Sequence, residues 1–128
     1  MNNEDYCSYE LSKALKAAGF DWRTDHLYRK DADNGDQYTL IHSGFDNYNE
    51  HWSASDWCSA PTLWHAQKWL REKHHISIRV SYISYHKVWF ADWLNLDSGE
   101  FDDTDATFNT YEEALADGIR FCVKNLLK

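Results

Sequence analysis

The spacing of apolar residues changes period several times along the chain, and each change marks an element. In residues 8–18, Leu11, Ala14, Leu15 and Ala18 recur at i, i+3, i+4 and i+7, one face of a helix, and Gly19 stands where such a helix stops. Two runs follow, 24–30 and 37–42. They flank DADNGD, whose Asn34-Gly35 pair suits a tight turn with positive φ, so the pattern predicts a β-hairpin. Residues 43–59 mix Asn, Ser, Asp and aromatics without a period, over a length greater than most connections, and are expected to be irregular. A second helix is expected from Pro61-Thr62 to about His74. Pro61 takes a first-turn position, Leu63, Ala66 and Leu70 form the inward stripe, and Trp64 and Trp69 widen it or sit at its margins.

At Ile76 the period drops to two, with Ile78, Val80 and Tyr82 alternating with Ser77, Arg79 and Ser81, as in a strand buried on one face. Residues 88–96 are apolar on both alternating sets and read as a central strand. Asp97-Ser98-Gly99 makes a turn, after which EFDDTDATFN supplies a short edge strand or a loop. The last helix carries a TxxE capping box, Thr110 to Glu113, ahead of an apolar face formed by Tyr111, Ala114, Leu115, Gly118, Ile119, Cys122 and Leu126. A glycine inside a helix costs about 1 kcal/mol relative to alanine, so Gly118 implies close approach of a neighbour. The order α-ββ-α-ββ(β)-α predicts one α+β domain over residues 1–128, an antiparallel sheet with helices packed on one face.

Composition supports a packed interior: 7 Trp, 8 Tyr and 6 Phe in 128 residues supply large apolar areas. The formal net charge of −8 repels a phosphate backbone, so direct nucleic-acid binding is not expected. Cations such as Lys68, Arg71 and Lys73, or Arg120, Lys124 and Lys128, fall near predicted helix ends, where they complement the macrodipole. Cys7, Cys58 and Cys122 are odd in number, far apart and without a CxxC pair or a secretory leader, and are expected to be reduced thiols in a cytoplasmic protein. No apolar run is long enough to span a bilayer, so no membrane association is expected.

Three stretches, EDYCSYELSKALKAAGFD (4–21), SAPTLWHAQKWLREKHHISIRV (59–80) and TYEEALADGI (110–119), resemble a family of short uncharacterised proteins of gut bacteria, their prophages and phages. The resemblance covers most of the chain and weakens in the acidic hairpin and the middle segment. It implies a small accessory protein carried by mobile DNA. No activity is assigned to that family, and no catalytic residue is transferred by it.

The residues that carry chemistry each have a plainer reading. Cys58 lies just ahead of the second helix and His65 in its first turns, a nucleophile–base arrangement if the helix end lowers the thiol pKa; a small buried cysteine is the commoner case. A metal site would draw on His42, His51 and Cys58, but no HExxH or CxxC spacing supports it, so neither metal nor cofactor is expected. DADNGD fails as a calcium loop, since with Gly35 in the sixth place Lys30 and Ile41 fall at the first and twelfth ligand positions. Asp31, Asp33, Asp36, Asp102, Asp103 and Asp105 could imitate phosphates and capture a DNA-binding protein, or serve only as solvated charge. Aromatics concentrate around the middle segment, in Phe45, Tyr48, Trp52, Trp57 and Trp64, and must either tuck into the core or cover a partner; Trp89 and Trp93 suggest a second surface, the outer face of the sheet. The favoured expectation is a non-enzymatic binding or adaptor protein that meets a protein partner, or a second copy of itself, through Tyr48, Trp52, Trp57 and Trp64. The alternatives are an acidic mimic of nucleic acid and a small enzyme using Cys58 and His65.

Overall fold

The computed structural model describes residues 2–31, 37–50 and 56–127. It is an α+β fold whose chain divides into two compact units, Met1–Thr62 and Leu63–Lys128. The strands form two antiparallel sheets of three, one in each unit, where the sequence pattern suggested a single sheet. No helix among the described residues is long and apolar enough to cross a membrane.

The first unit opens with helix α1 (Tyr9–Ala17), which begins and ends as its sequence predicts. The Ser8 hydroxyl accepts the Leu11 N–H at 3.2 Å. At the other end Gly19 takes φ +93°, its N–H donates to the Lys16 carbonyl, and the Phe20 N–H reaches back to the Leu15 carbonyl at 2.9 Å. This double closure satisfies the last carbonyls and delivers Phe20 to the interior.

The sheet of this unit has the order β2-β1-β3, with β1 (Thr24–Lys30) between β2 (Tyr38–Asp46) and β3 (Trp57–Ser59). The hairpin is as expected, although its Asn34-Gly35 turn lies outside the described residues. Strand β2 runs on through Asp46, so part of the segment expected to be irregular is paired backbone. The pairing passes from His26↔His42 to Thr24↔Asp46, an irregularity that sets several β2 residues against Asp25.

The rest of that segment is pinned by polar groups rather than by a period. Asn49 accepts the Ser59 N–H at 2.8 Å and donates to the Phe20 carbonyl at 2.9 Å, while the buried Ser59 hydroxyl accepts the Tyr48 N–H at 3.0 Å. These bonds satisfy backbone that would otherwise be costly to bury. Between the sheet and α1, the Tyr28 hydroxyl donates to the Cys7 carbonyl at 2.7 Å, and the Tyr9 ring stacks on Tyr38 at 4.1 Å.

The second unit consists of α2 (Leu63–His74), β4 (Ile76–Ile83), β5 (Val88–Asn95), β6 (Phe101–Asp103) and α3 (Tyr111–Asn125). Strand β5 is central in the order β4-β5-β6, and β6 is the short edge strand that EFDDTDATFN allowed. The Thr110 hydroxyl accepts the Glu113 N–H at 3.1 Å, but the Glu113 carboxylate returns to that same hydroxyl at 3.0 Å rather than to the Thr110 backbone. Half of the expected capping box is therefore present.

Gly118 explains how α3 sits. A Cβ there would lie 2.9 Å from the Ala91 Cβ and 3.0 Å from the Ile78 Cγ2, so the helix backbone rests directly on the sheet. That contact assigns Ile76, Ile78, Ala91 and Trp93 to the covered face, and all four are buried. Trp93 stacks on Phe121 and Trp89 meets Tyr111 edge-on, both from α3. The expectation that Trp89 and Trp93 line the outer face is thereby reversed. Gln67 of α2 donates to the Ile78 carbonyl at 2.9 Å.

Candidate functional site

The anchors expected from the middle segment do not share one environment. Tyr48 is buried at 6% exposure, its hydroxyl donating to the Gly44 carbonyl and its ring meeting Trp57 edge-on, so it serves the interior and offers no contact surface. Trp57 is half-buried on β3 in the first unit, and Trp64 is exposed on α2 in the second. Trp52 and His51 lie outside the described residues.

Cys58 is buried, and burial pushes its thiol up to about 11 against the lowering influence of Lys16 and Lys13. A thiol held protonated at neutral pH is a poor nucleophile. His65 is half-buried on α2. Cys7 and Cys122 are likewise free and buried, with the Cys122 thiol pushed up by burial to about 12. Of the acidic residues, Asp33 and Asp36 lie outside the described residues, and Asp102, Asp103 and Asp105 are exposed.

The surface that the aromatics of β5 were expected to supply exists, but it is built from the other alternating set. Cross-strand partners project to the same side of an antiparallel sheet. The register therefore places four rows on the open face of the second sheet: Ser77, Leu94 and Phe101; Arg79, Asp92 and Asp103; Ser81 with Phe90; and Ile83 with Val88. None of these residues is buried, and Phe101 is 75% exposed. A shallow groove of about 400 Å³ is lined by Ser77, Arg79, Asp92, Leu94 and Phe101, with the buried Trp93 between Asp92 and Leu94 also bordering it.

The charged row is unbalanced. Arg79 donates to Asp92 at 2.8 Å, with Arg79 mostly exposed and Asp92 mostly covered. Asp103 stands directly across from Asp92 on the next strand, and its carboxylate accepts the Asp105 N–H at 2.8 Å. Like charges opposed across a sheet repel. One guanidinium thus shares its row with two carboxylates, between a row carrying Leu94 and Phe101 and a row carrying Phe90. Asp92 apart, both alternating sets of β5 are apolar, which hid this face from a periodicity argument; Asp92 in one set and the small pair Ala91 and Gly118 were the signals that separate open from covered.

Among the described residues, the donors that could hold a metal ion converge at one place, Asp25, His26 and His42 of the first unit. No family model, curated protein or solved structure matches the chain.

Proposed function

We propose that this is a non-catalytic binding protein, of the accessory kind that its resemblance to phage and prophage proteins implies, and that the open face of the β4-β5-β6 sheet receives a segment of a partner protein. The observation that carries this reading is the charged row between two apolar rows. A partner presenting a cation flanked by apolar side chains would set the cation against Asp92 and Asp103 and cover Leu94, Phe101 and Phe90. Covering apolar surface contributes roughly 25 cal/mol per Å², and the added cation relieves repulsion between the paired carboxylates. The net charge of −8 favours a basic partner over a second copy, since two copies repel at long range.

The test uses a short synthetic peptide alternating Leu and Lys, with its Leu/Glu counterpart as control, each titrated while backbone amide resonances are followed. The Leu/Lys peptide is expected to shift residues of β4, β5 and β6, less so at high salt, because screening weakens charge attraction. Phe101→Ser should abolish those shifts while changing stability by no more than about 0.5 kcal/mol, as usual for an exposed side chain. Equal binding of the Leu/Glu peptide, shifts that map elsewhere, or sedimentation showing that the protein dimerises through this face would overturn the proposal.

A further inference from the structure

The geometry points to a divalent transition-metal site in the first unit, formed by Asp25, His26 and His42. Neighbours along a regular strand point to opposite faces, so Asp25 and His26 would ordinarily diverge. Here the irregular pairing between Thr24 and His26 lets both turn to one place, and the Asp25 Oδ1 lies 2.8 Å from the His26 Nδ1. His42 is directly across from His26 in the register, with ring centroids 4.9 Å apart. The donor atoms of the three side chains all lie within 4.8 Å of one another.

Two further features suit a metal. The Tyr6 ring packs against His26 at 4.2 Å and limits the orientations that imidazole can take, which lowers the ordering cost of coordination. Tyr6 is itself held by backbone pairing with Thr62. His42 and Asp25 are exposed, so rotation of their side chains can close the remaining distance and water can complete the coordination shell. Two neutral imidazoles and one carboxylate form a donor set for Zn²⁺ and its first-row neighbours, whereas Mg²⁺ and Ca²⁺ prefer oxygen. With three protein donors the position is open, and an exchangeable water would occupy it.

The site lies in a different unit from the open sheet face and stands independently of the binding role proposed above. The test titrates the folded protein with Co²⁺ and with Zn²⁺, reading the visible absorption of Co²⁺ and the imidazole proton resonances in the Zn²⁺ series. One equivalent is expected to bind, with resonances of His26 and His42 shifting first. His42→Ala should weaken binding by at least about tenfold, on the scale seen when even indirect metal partners are removed, while His86→Ala on the exposed β4–β5 turn should leave it unchanged. Circular dichroism of His42→Ala separates loss of the site from loss of the fold. If that variant unfolds, Asp25→Asn, which keeps shape and removes charge, is expected to weaken binding likewise. Unchanged affinity in a folded His42→Ala or Asp25→Asn protein, or first shifts at His74, His75 or His86, would overturn the assignment.

Discussion

Gly118→Ala sets two effects of known size against each other. Alanine raises helix propensity by about 1 kcal/mol, so an unpacked α3 would become more stable. The packed helix has no room, because the new methyl would meet the Ala91 Cβ at 2.9 Å and the Ile78 Cγ2 at 3.0 Å. Neither atom lies at the end of a flexible side chain: the first is fixed by the central strand, and the second belongs to a β-branched residue stiff at χ1. Ordinary carbon contacts lie at about 3.5–4.0 Å, so α3 must lift by roughly half an ångström or more, thinning the contacts its whole inner face makes. Overpacking of this kind costs about 1–3 kcal/mol. We expect a net loss of about 1–2 kcal/mol, measured as a lower midpoint of denaturant unfolding at unchanged slope. Ala91→Gly in the same protein removes one of the two clashing atoms, so a double-mutant cycle should return a favourable coupling of at least about 0.5 kcal/mol. A neutral or stabilising Gly118→Ala, or a cycle with no coupling, would refute direct seating of α3 on β5.

Two further outcomes are expected. Thr110→Ala removes the acceptor of the Glu113 N–H and should cost about 1 kcal/mol by the same denaturation measurement, an unchanged midpoint meaning that the helix starts elsewhere. In alkaline solution, unfolded cysteines ionise from about 9.0 while Cys58 and Cys122 are held to about 11 and about 12, so above pH 9 the folded chain binds more protons than the unfolded one. Stability should then fall with rising pH by up to about 1.4 kcal/mol per pH unit for each thiol, and the native thiols should react slowly with a thiol reagent at neutral pH; a fast thiol at Cys58 would contradict its burial.

Local chemistry was legible in the sequence because it depends on residues a few positions apart. The Thr110 cap, the Gly19 stop, the α1 and α3 stripes and the alternation of β4 all follow from one turn of helix or one pleat of strand. Gly118 was legible too, since a costly glycine inside a strong helix pattern demands a close neighbour. The identity of that neighbour was not. Which set of β5 residues is covered depends on where α3 lands; Phe90 and Leu94 are as apolar as Trp89 and Trp93, and only Asp92 in the Phe90/Leu94 set marks the open side.

Tertiary structure decided whatever rests on register between distant segments. β3 has three residues and no period, and it exists because β1 offers an unpaired edge and Asn49 holds the Ser59 backbone in place. Tyr48 and Trp64 are alike as bulky rings near the irregular segment, yet one fills the interior and the other meets solvent. The division of the six strands among the described residues between two sheets is likewise a matter of which edges meet. Asp25, His26 and His42 converge only through an irregularity in pairing, and a one-residue change of register would turn His42 to the opposite face. Sequence spacing sets the face each side chain takes within its own element, whereas the meeting of two elements is a property of the folded backbone.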